Sequence, residues 1–185
     1  MPEITLGVIA DTHIPDRARD LPLTAIDLFS KRGVSAILHA GDLSSMQVVH
    51  QLEEVAPTYA IRGNTDVLFA GQLPYFRRLE FEGVTIGMAH GHGNWFRYIP
   101  DKIDYFLNGP KKFSYYENIA LSQMPGRQVV VCGHTHVPAN YKVGDQLLFN
   151  PGSPTIPTRF VPGLQPSVGL LHIDSGNIRG EIAFI

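Results

Sequence analysis

The sequence predicts an α/β protein of four layers, with two mixed sheets face to face and helices covering their outer sides. Three observations carry that expectation. Strand-like and helix-like segments alternate from Ile4 to Asp66 in what reads as three β-α-β steps. From Phe76 onward, strand pairs joined by short turns predominate. Five apolar runs, far apart in the chain, each stop at Asp, Asn or His, as strands ending on one edge of an open sheet would.

The run Ile4–Ala10 is short and apolar, which suits a sheet strand, and it stops at Asp11-Thr12-His13. In an extended backbone, residues two apart point the same way, so Asp11 and His13 are expected to face one point. Leu21, Ala25, Leu28 and Phe29 have helical spacing, Pro22 is permitted in a first turn, and Gly33 ends the helix. Ala36–Ala40 is the second strand, ending at Gly41-Asp42. A second amphipathic helix covers Ser45–Val55, with Ser44 or Ser45 as its N-cap. Tyr59–Arg62 is the third strand and runs into Gly63-Asn64-Thr65-Asp66. Helical crossovers between these strands dictate parallel pairing.

Phe76–Phe81 and Val84–Ala89 flank the two-residue turn Glu82-Gly83, and the second of them runs into His90-Gly91-His92-Gly93. Segment 94–124 is rich in aromatics (Trp95, Phe96, Tyr98, Tyr105, Phe106, Phe113, Tyr115, Tyr116) and partly helical. Pro100, Gly109 and Pro110 are expected to break it into at least two pieces. Core packing is the expected role of most of these rings, with a roof over the site or a subunit contact as alternatives. Val129–Cys132 lacks polar alternation and reads as a strand buried on both faces. Gly133 is expected to turn the backbone there, and His134 and His136 follow. Tyr141–Phe149 is a hairpin leading into Asn150-Pro151-Gly152-Ser153, and Val168–Ile173 with Ile178–Ile185 makes a last hairpin around Ser175-Gly176-Asn177. These late hairpins are expected to build the second sheet. No repeat, low-complexity tract or linker interrupts the chain, so one domain over 1–185 is expected.

Hydrophobic residues make up 44% and charged residues 17% of the chain, a balance that excludes disorder. A net charge of −2 with both signs interspersed provides neither a nucleic-acid stripe nor a membrane-surface patch, and it disfavours long nucleic acid as substrate. The single cysteine, Cys132, cannot form an internal disulfide. No apolar run approaches the roughly 18 residues that span a membrane, and no signal-peptide pattern opens the chain. A soluble protein of the cytoplasm is expected.

The strand ends carry Asp11, His13, Asp42, Asn64, His90, His134 and His136, with Gly41, Gly63, Gly91 and Gly133 beside four of the five motifs. Oxygen and imidazole donors without thiolate suit Mn²⁺, Fe²⁺, Zn²⁺, Ni²⁺ or Mg²⁺ rather than a structural zinc or an iron–sulfur cluster. Seven donors exceed what one ion with an open position takes, so two ions sharing a carboxylate are expected. Asp11 and Asp42 alone bring formal negative charge, which leaves two divalent ions at about +2 and draws an anion. Two metals about 4 Å apart hold both the attacking and the leaving oxygen of a displacement at phosphorus.

The order Asp-x-His, Gly-Asp, Gly-Asn-x-Asp, His-Gly-His, Gly-His-x-His resembles that of the calcineurin-like metallophosphoesterases, above all their small bacterial and archaeal phosphodiesterases. The likeness covers nearly the whole chain, since Asn150-Pro151-Gly152-Ser153 and the final strands also match. It implies that Asp11, His13, Asp42 and His136 hold one metal. Asp42, as the bridge, with Asn64, His90 and His134 would hold the other, and manganese stands foremost among the candidate ions. It further implies hydrolysis of small phosphate esters by in-line attack of a metal-bridging water or hydroxide; the catalytic residues expected are Asn64 and, as a reading of this chain's own residues, His92.

Many phosphomonoesterases of this superfamily have Gly-Asn-His-Glu where this chain has Thr65 in place of the histidine, which favours diesters or good leaving groups. His92 is expected to fill the gap as a phosphate contact or proton donor. His39 is expected to donate a hydrogen bond toward a ligand, and Asp66 to orient a neighbouring one. Asp16, Arg17 and Arg19 are expected to be solvated loop charges. The rival expectation is a non-catalytic interaction scaffold of the same fold, like the retromer subunit. A homo-oligomer is left open.

Overall fold

A computed structural model describes residues 3–66, 72–93, 95–109 and 111–185. The breaker Pro110 and the side chains of Trp95 and Tyr105 lie outside the described residues. The chain forms β1 (Ile4–Ile9), α1 (Leu23–Lys31), β2 (Ala36–His39), α2 (Met46–Glu53) and β3 (Thr58–Ala60), with β1–β2 and β2–β3 paired in parallel. The Ser45 hydroxyl caps α2 by accepting from the Gln47 N–H. Three strands are thus joined by two helical crossovers rather than three β-α-β steps. After β3 the next described strand belongs to the other sheet.

The β4 (Phe76–Phe81) and β5 (Val84–Ala89) hairpin turns through Glu82 and Gly83, both with positive φ, as a two-residue turn matched to strand twist requires. Helices α3 (Trp95–Asn108) and α4 (Phe113–Gln123) lead to β6 (Val129–Val131), which lies parallel between β5 and β8 (Gln146–Asn150), and β7 (Ala139–Val143) completes that sheet. The last hairpin, β9 (Ser167–Asp174) and β10 (Asn177–Phe184), corrects the expectation for the second sheet. It joins the first, antiparallel to β1, giving the orders β10-β9-β1-β2-β3 and β4-β5-β6-β8-β7.

Side-chain alternation explains this placement. Leu171 and Ile173 of β9 enter the core between the sheets with Leu6, Val8, Leu38, Ile86, Val129 and Phe149, while Val168 and Leu170 face Phe29, Val48 and Leu52 of the helices. A third cluster joins Val130, Cys132 and Leu148 to Ala120 of α4 and to Met124, its C-cap. Three apolar seams therefore separate helix, sheet, sheet and helix, and each fully buried leucine contributes about 2 kcal/mol of burial.

Segment 94–124 departs from expectation twice. Pro100 lies inside α3 and does not break it. The carbonyl deprived of its partner belongs to Phe96, which is 92% exposed and so open to water. Gly109, at φ 86°, follows the last residue of the helix. The described aromatics are not core residues: Phe96 and Phe106 are exposed, and Tyr98, Phe113, Tyr115 and Tyr116 are half-buried. α4 already packs on the second sheet, so α3 lies farther out and turns Phe96, Ile99, Ile103, Phe106 and Leu107 toward solvent. None of the described helices is long and apolar enough to cross a membrane.

Candidate metal centre

The side chains expected to act together sit just beyond the strand ends, on a backbone that is not extended. Asp11 (φ 54°), His13 (48°), Asp42 (57°), His134 (71°) and His136 (57°) are all left-handed. Each such conformation costs a non-glycine residue about 1–2 kcal/mol. The loops are locked by hydrogen bonds: Asp11 N–H to Gly41 O (2.9 Å), His13 N–H to Asp42 O (3.0 Å) and Gly133 N–H to His90 O (3.1 Å) each join neighbouring strand ends of one sheet, and His134 N–H to Asp11 Oδ1 (3.1 Å) links the two sheets. Asp11 and His13 therefore converge through two left-handed turns rather than through strand alternation.

The neighbouring glycines answer to crowding. A Cβ on Gly63 would lie 2.1 Å from Asp42 Oδ1, and one on Gly133 would lie 2.9 Å from Asp11 Oδ2. The backbone turns after Gly133 without a positive φ at the glycine itself; His134 takes it.

Asp11, His13 and His136 offer donor atoms within 4.8 Å of one another, and so do Asp11, Asp42 and His90. His13 Nε2 lies 3.2 Å from His136 Nε2 and 3.6 Å from Asp42 Oδ2, and His90 Nε2 lies 3.5 Å from Asp42 Oδ2. Asp11 is the carboxylate common to both groups, where the resemblance makes Asp42 the bridge. Asp42 Oδ2 nevertheless reaches a histidine of each set. Asn64 Oδ1 meets His134 Nδ1 at 2.9 Å.

Donors bound at about 2.1 Å to one ion stand roughly 3.0–3.4 Å apart, so these spacings fit divalent-ion coordination after small movements. Asp11 Oδ2 and His90 Nε2 are buried with no hydrogen-bond partner among the described residues, a costly arrangement that a cation would relieve.

The surrounding groups set orientation. The His90 Nδ1–H donates to Ala40 O (2.8 Å) and that of His136 to Ile156 O (2.5 Å), each leaving Nε2 free to bind. Asp66, buried, accepts from the N–H of Asp42 (2.8 Å), Gly63 (2.7 Å) and Ser44 (2.8 Å), so it orients Asp42 through the main chain. His39 makes no hydrogen bond to a ligand side chain. It accepts from Gly41 N–H (3.2 Å) at Nδ1 and meets the Thr12 hydroxyl (3.1 Å) at Nε2, acting on the loops that carry Asp11, His13 and Asp42.

Burial lowers His13 to about 4 and His92 to about 3, and drives His134 well below the ordinary histidine value. Burial also lowers His39 to about 3. These imidazoles are neutral, the form that presents a lone pair to a cation. Burial would lower His90 too, but the charge of Asp42, then of Asp11, raises it to about 9. Burial raises Asp11 to about 6 against the pull of His136 and His90. Burial likewise opposes ionisation of Asp42, yet His90 and His13 hold it well below the usual carboxylate range. Without metal, a proton on His90 supplies positive charge between the two carboxylates.

Asp42, Asn64, His92, His134 and His136 open into one cavity of about 500 Å³. Tyr98, Tyr116 and Phe160 line its outer part with Arg17, Lys102 and Arg159. Arg17 is exposed, as expected of a loop charge, but it stands at this mouth; Arg19 is almost fully exposed and pairs with Asp20. Sequence reasoning missed the contacts of Tyr98 and Tyr116, the clamping role of Thr12, and the Ser153–Ile156 loop, where Ser153 Oγ donates to Asp11 O (2.8 Å). Aromatic richness around 94–124 and the Asn-Pro-Gly-Ser turn were the available signals.

A family profile, the calcineurin-like phosphoesterase superfamily domain, matches residues 4–176. A probable metallophosphoesterase of Methanothermobacter thermautotrophicus is 37% identical over 177 residues, covering 96% of this chain and 90% of that protein. A phosphodiesterase of Methanocaldococcus jannaschii is 24% identical over 94% of this chain and 96% of its own length. The fold matches that of a Vps29 from Entamoeba histolytica with a TM-score of 0.72 at 22% identity, over 98% of this chain and 99% of that one.

Proposed function

Since the chain belongs to the calcineurin-like phosphoesterase superfamily, we propose that it is a dinuclear metal-dependent phosphodiesterase acting on small phosphate esters. The observation that carries this reading is the convergence of seven oxygen and nitrogen donors from separate strand ends, two of them, Asp11 and His90, with a buried donor atom lacking any described partner. In this reading Asp11, His13, Asp42 and His136 hold one ion, and Asp42, Asn64, His90 and His134 the other. When bound, two divalent ions, manganese first and nickel, iron, zinc or magnesium as alternatives, would supply Lewis acidity at phosphorus and acidify water.

The chain's own groups do the rest. Asp42 offsets part of the positive charge and is itself aligned by the Thr65 N–H on Oδ1 at 2.9 Å. Thr65 brings no acid, so a leaving alkoxide gets no proton from that position. His92 lines the cavity beside His90 and His134, with ring centroids 5.3 and 6.3 Å away, and its N–H is placed to meet a phosphate oxygen or a leaving oxygen. The arginines at the mouth favour an anion. A cytoplasmic setting belongs to the same reading, supported by a lone, buried cysteine whose thiol is pushed up by burial.

The test is hydrolysis of bis-p-nitrophenyl phosphate beside p-nitrophenyl phosphate by metal-stripped protein with Mn²⁺ restored. Activity should return with metal and favour the diester by about tenfold or more, the order set by losing an acid at the leaving group. The other reading, an interaction scaffold, draws on the Vps29 likeness of the fold and on the exposed apolar face of α3. Absence of turnover with all five candidate metals would favour it.

His92→Ala should change turnover of p-nitrophenyl esters by no more than a few-fold and slow esters of poor leaving groups, whose developing oxyanion its neutral N–H would meet, by about a hundredfold. Equal losses on both would assign His92 to phosphate binding alone. No loss on either would remove it from the mechanism.

A further inference from the structure

We infer that the α3–α4 segment organises one half of the metal centre, the half built on Asn64 and His134, while the core alone holds the other. The inference rests on the two-ion reading above. Tyr98 of α3 accepts a hydrogen bond from Asn64 Nδ2 at 3.4 Å, while the opposite end of the same amide meets His134 Nδ1 at 2.9 Å. Asn64 is therefore held at both ends, with its oxygen on the His134 side. The Tyr98 ring also stands edge-on to His92, 5.9 Å away and perpendicular to it.

α4 makes the matching contact. The Tyr116 ring packs against His134 with centroids 4.7 Å apart at 65°. Its carbonyl comes within 3.3 Å of where a Cβ on Gly91 would stand, between His90 and His92. Gly91 sits at φ 108°, a conformation that excludes most side chains, so the turn carrying both histidines closes against α4.

The other half has different supports. His136 is tied to the Ile156 carbonyl, the Asp11 carbonyl accepts from Ser153 Oγ and Thr155 Oγ1, and the His13 N–H bonds Asp42 O. Each of these partners lies in a loop continuous with a core strand. His90 and Asp42 are likewise fixed from the core, through Ala40 and Asp66.

Among the described residues α3 contributes none to the three apolar clusters, and its Phe96, Ile99, Ile103, Phe106 and Leu107 are exposed, so it belongs to the more loosely held part of the fold. An ion that depends on Asn64 and His134 inherits that looseness. The centre loads asymmetrically: the ion at Asp11, His13 and His136 binds first, and the second binds more weakly and only as well as the α3–α4 roof is seated.

Tyr98→Phe tests this, because it removes the hydroxyl that holds Asn64 and keeps the ring against His92. Mn²⁺ is titrated calorimetrically into metal-free wild type and variant, with thermal melts to verify folding and paramagnetic resonance to report the coupled ion pair. The wild type should take two ions in two steps. In Tyr98→Phe the first step should stay within about twofold, while the second weakens by roughly ten- to a hundredfold, the range seen when a partner of a metal ligand is lost. Tyr116→Leu should act on the same step. Two ions bound by the variants as by the wild type, or equal weakening of both steps, would overturn the inference and leave the two-ion reading standing. A wild type that binds one ion would overturn that reading and the inference together.

Discussion

Asp42→Asn is expected to lower diester turnover by about a thousandfold or more, the largest effect of any single substitution in the centre. The side chain stands between the two groups, with Oδ2 3.6 Å from His13 Nε2 and 3.5 Å from His90 Nε2. One change therefore weakens both ions, whereas replacing His136 or Asn64 touches one. Asparagine is the informative replacement because it keeps the volume, tolerates the left-handed φ of 57°, and retains an oxygen for the Thr65 N–H. What it removes is one of the two formal charges that oppose about four positive charges of two divalent ions. Bound metal measured on the purified variant should fall below two per chain in parallel with activity. Retention of near wild-type turnover with two ions bound would dismiss Asp42 as the shared ligand.

Asp66→Asn should cost about 2–4 kcal/mol of stability although Asp66 binds no ion in the proposed scheme. Its carboxylate is fully buried and accepts three main-chain N–H groups, two of them on Oδ2. An amide has one oxygen, so its NH₂ must face at least one N–H. Donor meets donor, and a hydrogen bond to a charged group, worth about 1.5–3 kcal/mol, is lost with it. For a chain of this size the melting temperature should fall by about 5–12 °C. Activity should fall as well, because the freed N–H groups belong to Asp42, Ser44 and Gly63, and Gly63 has no room to shift against Asp42. A thermal melt within about 2 °C of wild type would show that the clamp matters little.

The seven donors were legible because each lies where an apolar run stops, and four of the five runs stop next to a glycine. How they converge was not legible. Residues two apart share a face in a strand, and Asp11 and His13 obey no such rule once the chain has turned left-handed. The glycines beside the ligands answer to different needs: Gly41 and Gly91 take positive φ, whereas Gly133 is needed because Asp11 and His90 crowd it.

The sheet assignment of β9–β10 was hidden for a related reason. Its alternation of Val168, Leu170 and Leu171 fits burial on both faces in either sheet, and only pairing with β1 decides which. Composition also misled at Tyr98 and Tyr116. Helical spacing marks them as members of a helix, but nothing local distinguishes a ring that fills a core from one that leans on a histidine across a cavity.

The left-handed backbone at Asp11, His13, Asp42, His134 and His136 has a consequence for how this chain can change over time. Local preference at all five positions would favour glycine or asparagine, and the buried carboxylates add to the conflict, so folding and chemistry disagree about what belongs there. Without a demand for these side chains, substitutions that suit the left-handed backbone would gain some stability. The site would then erode before the architecture does. Neutral drift along that route would leave both sheets standing after the donor set had gone, and the first letters lost would be these five.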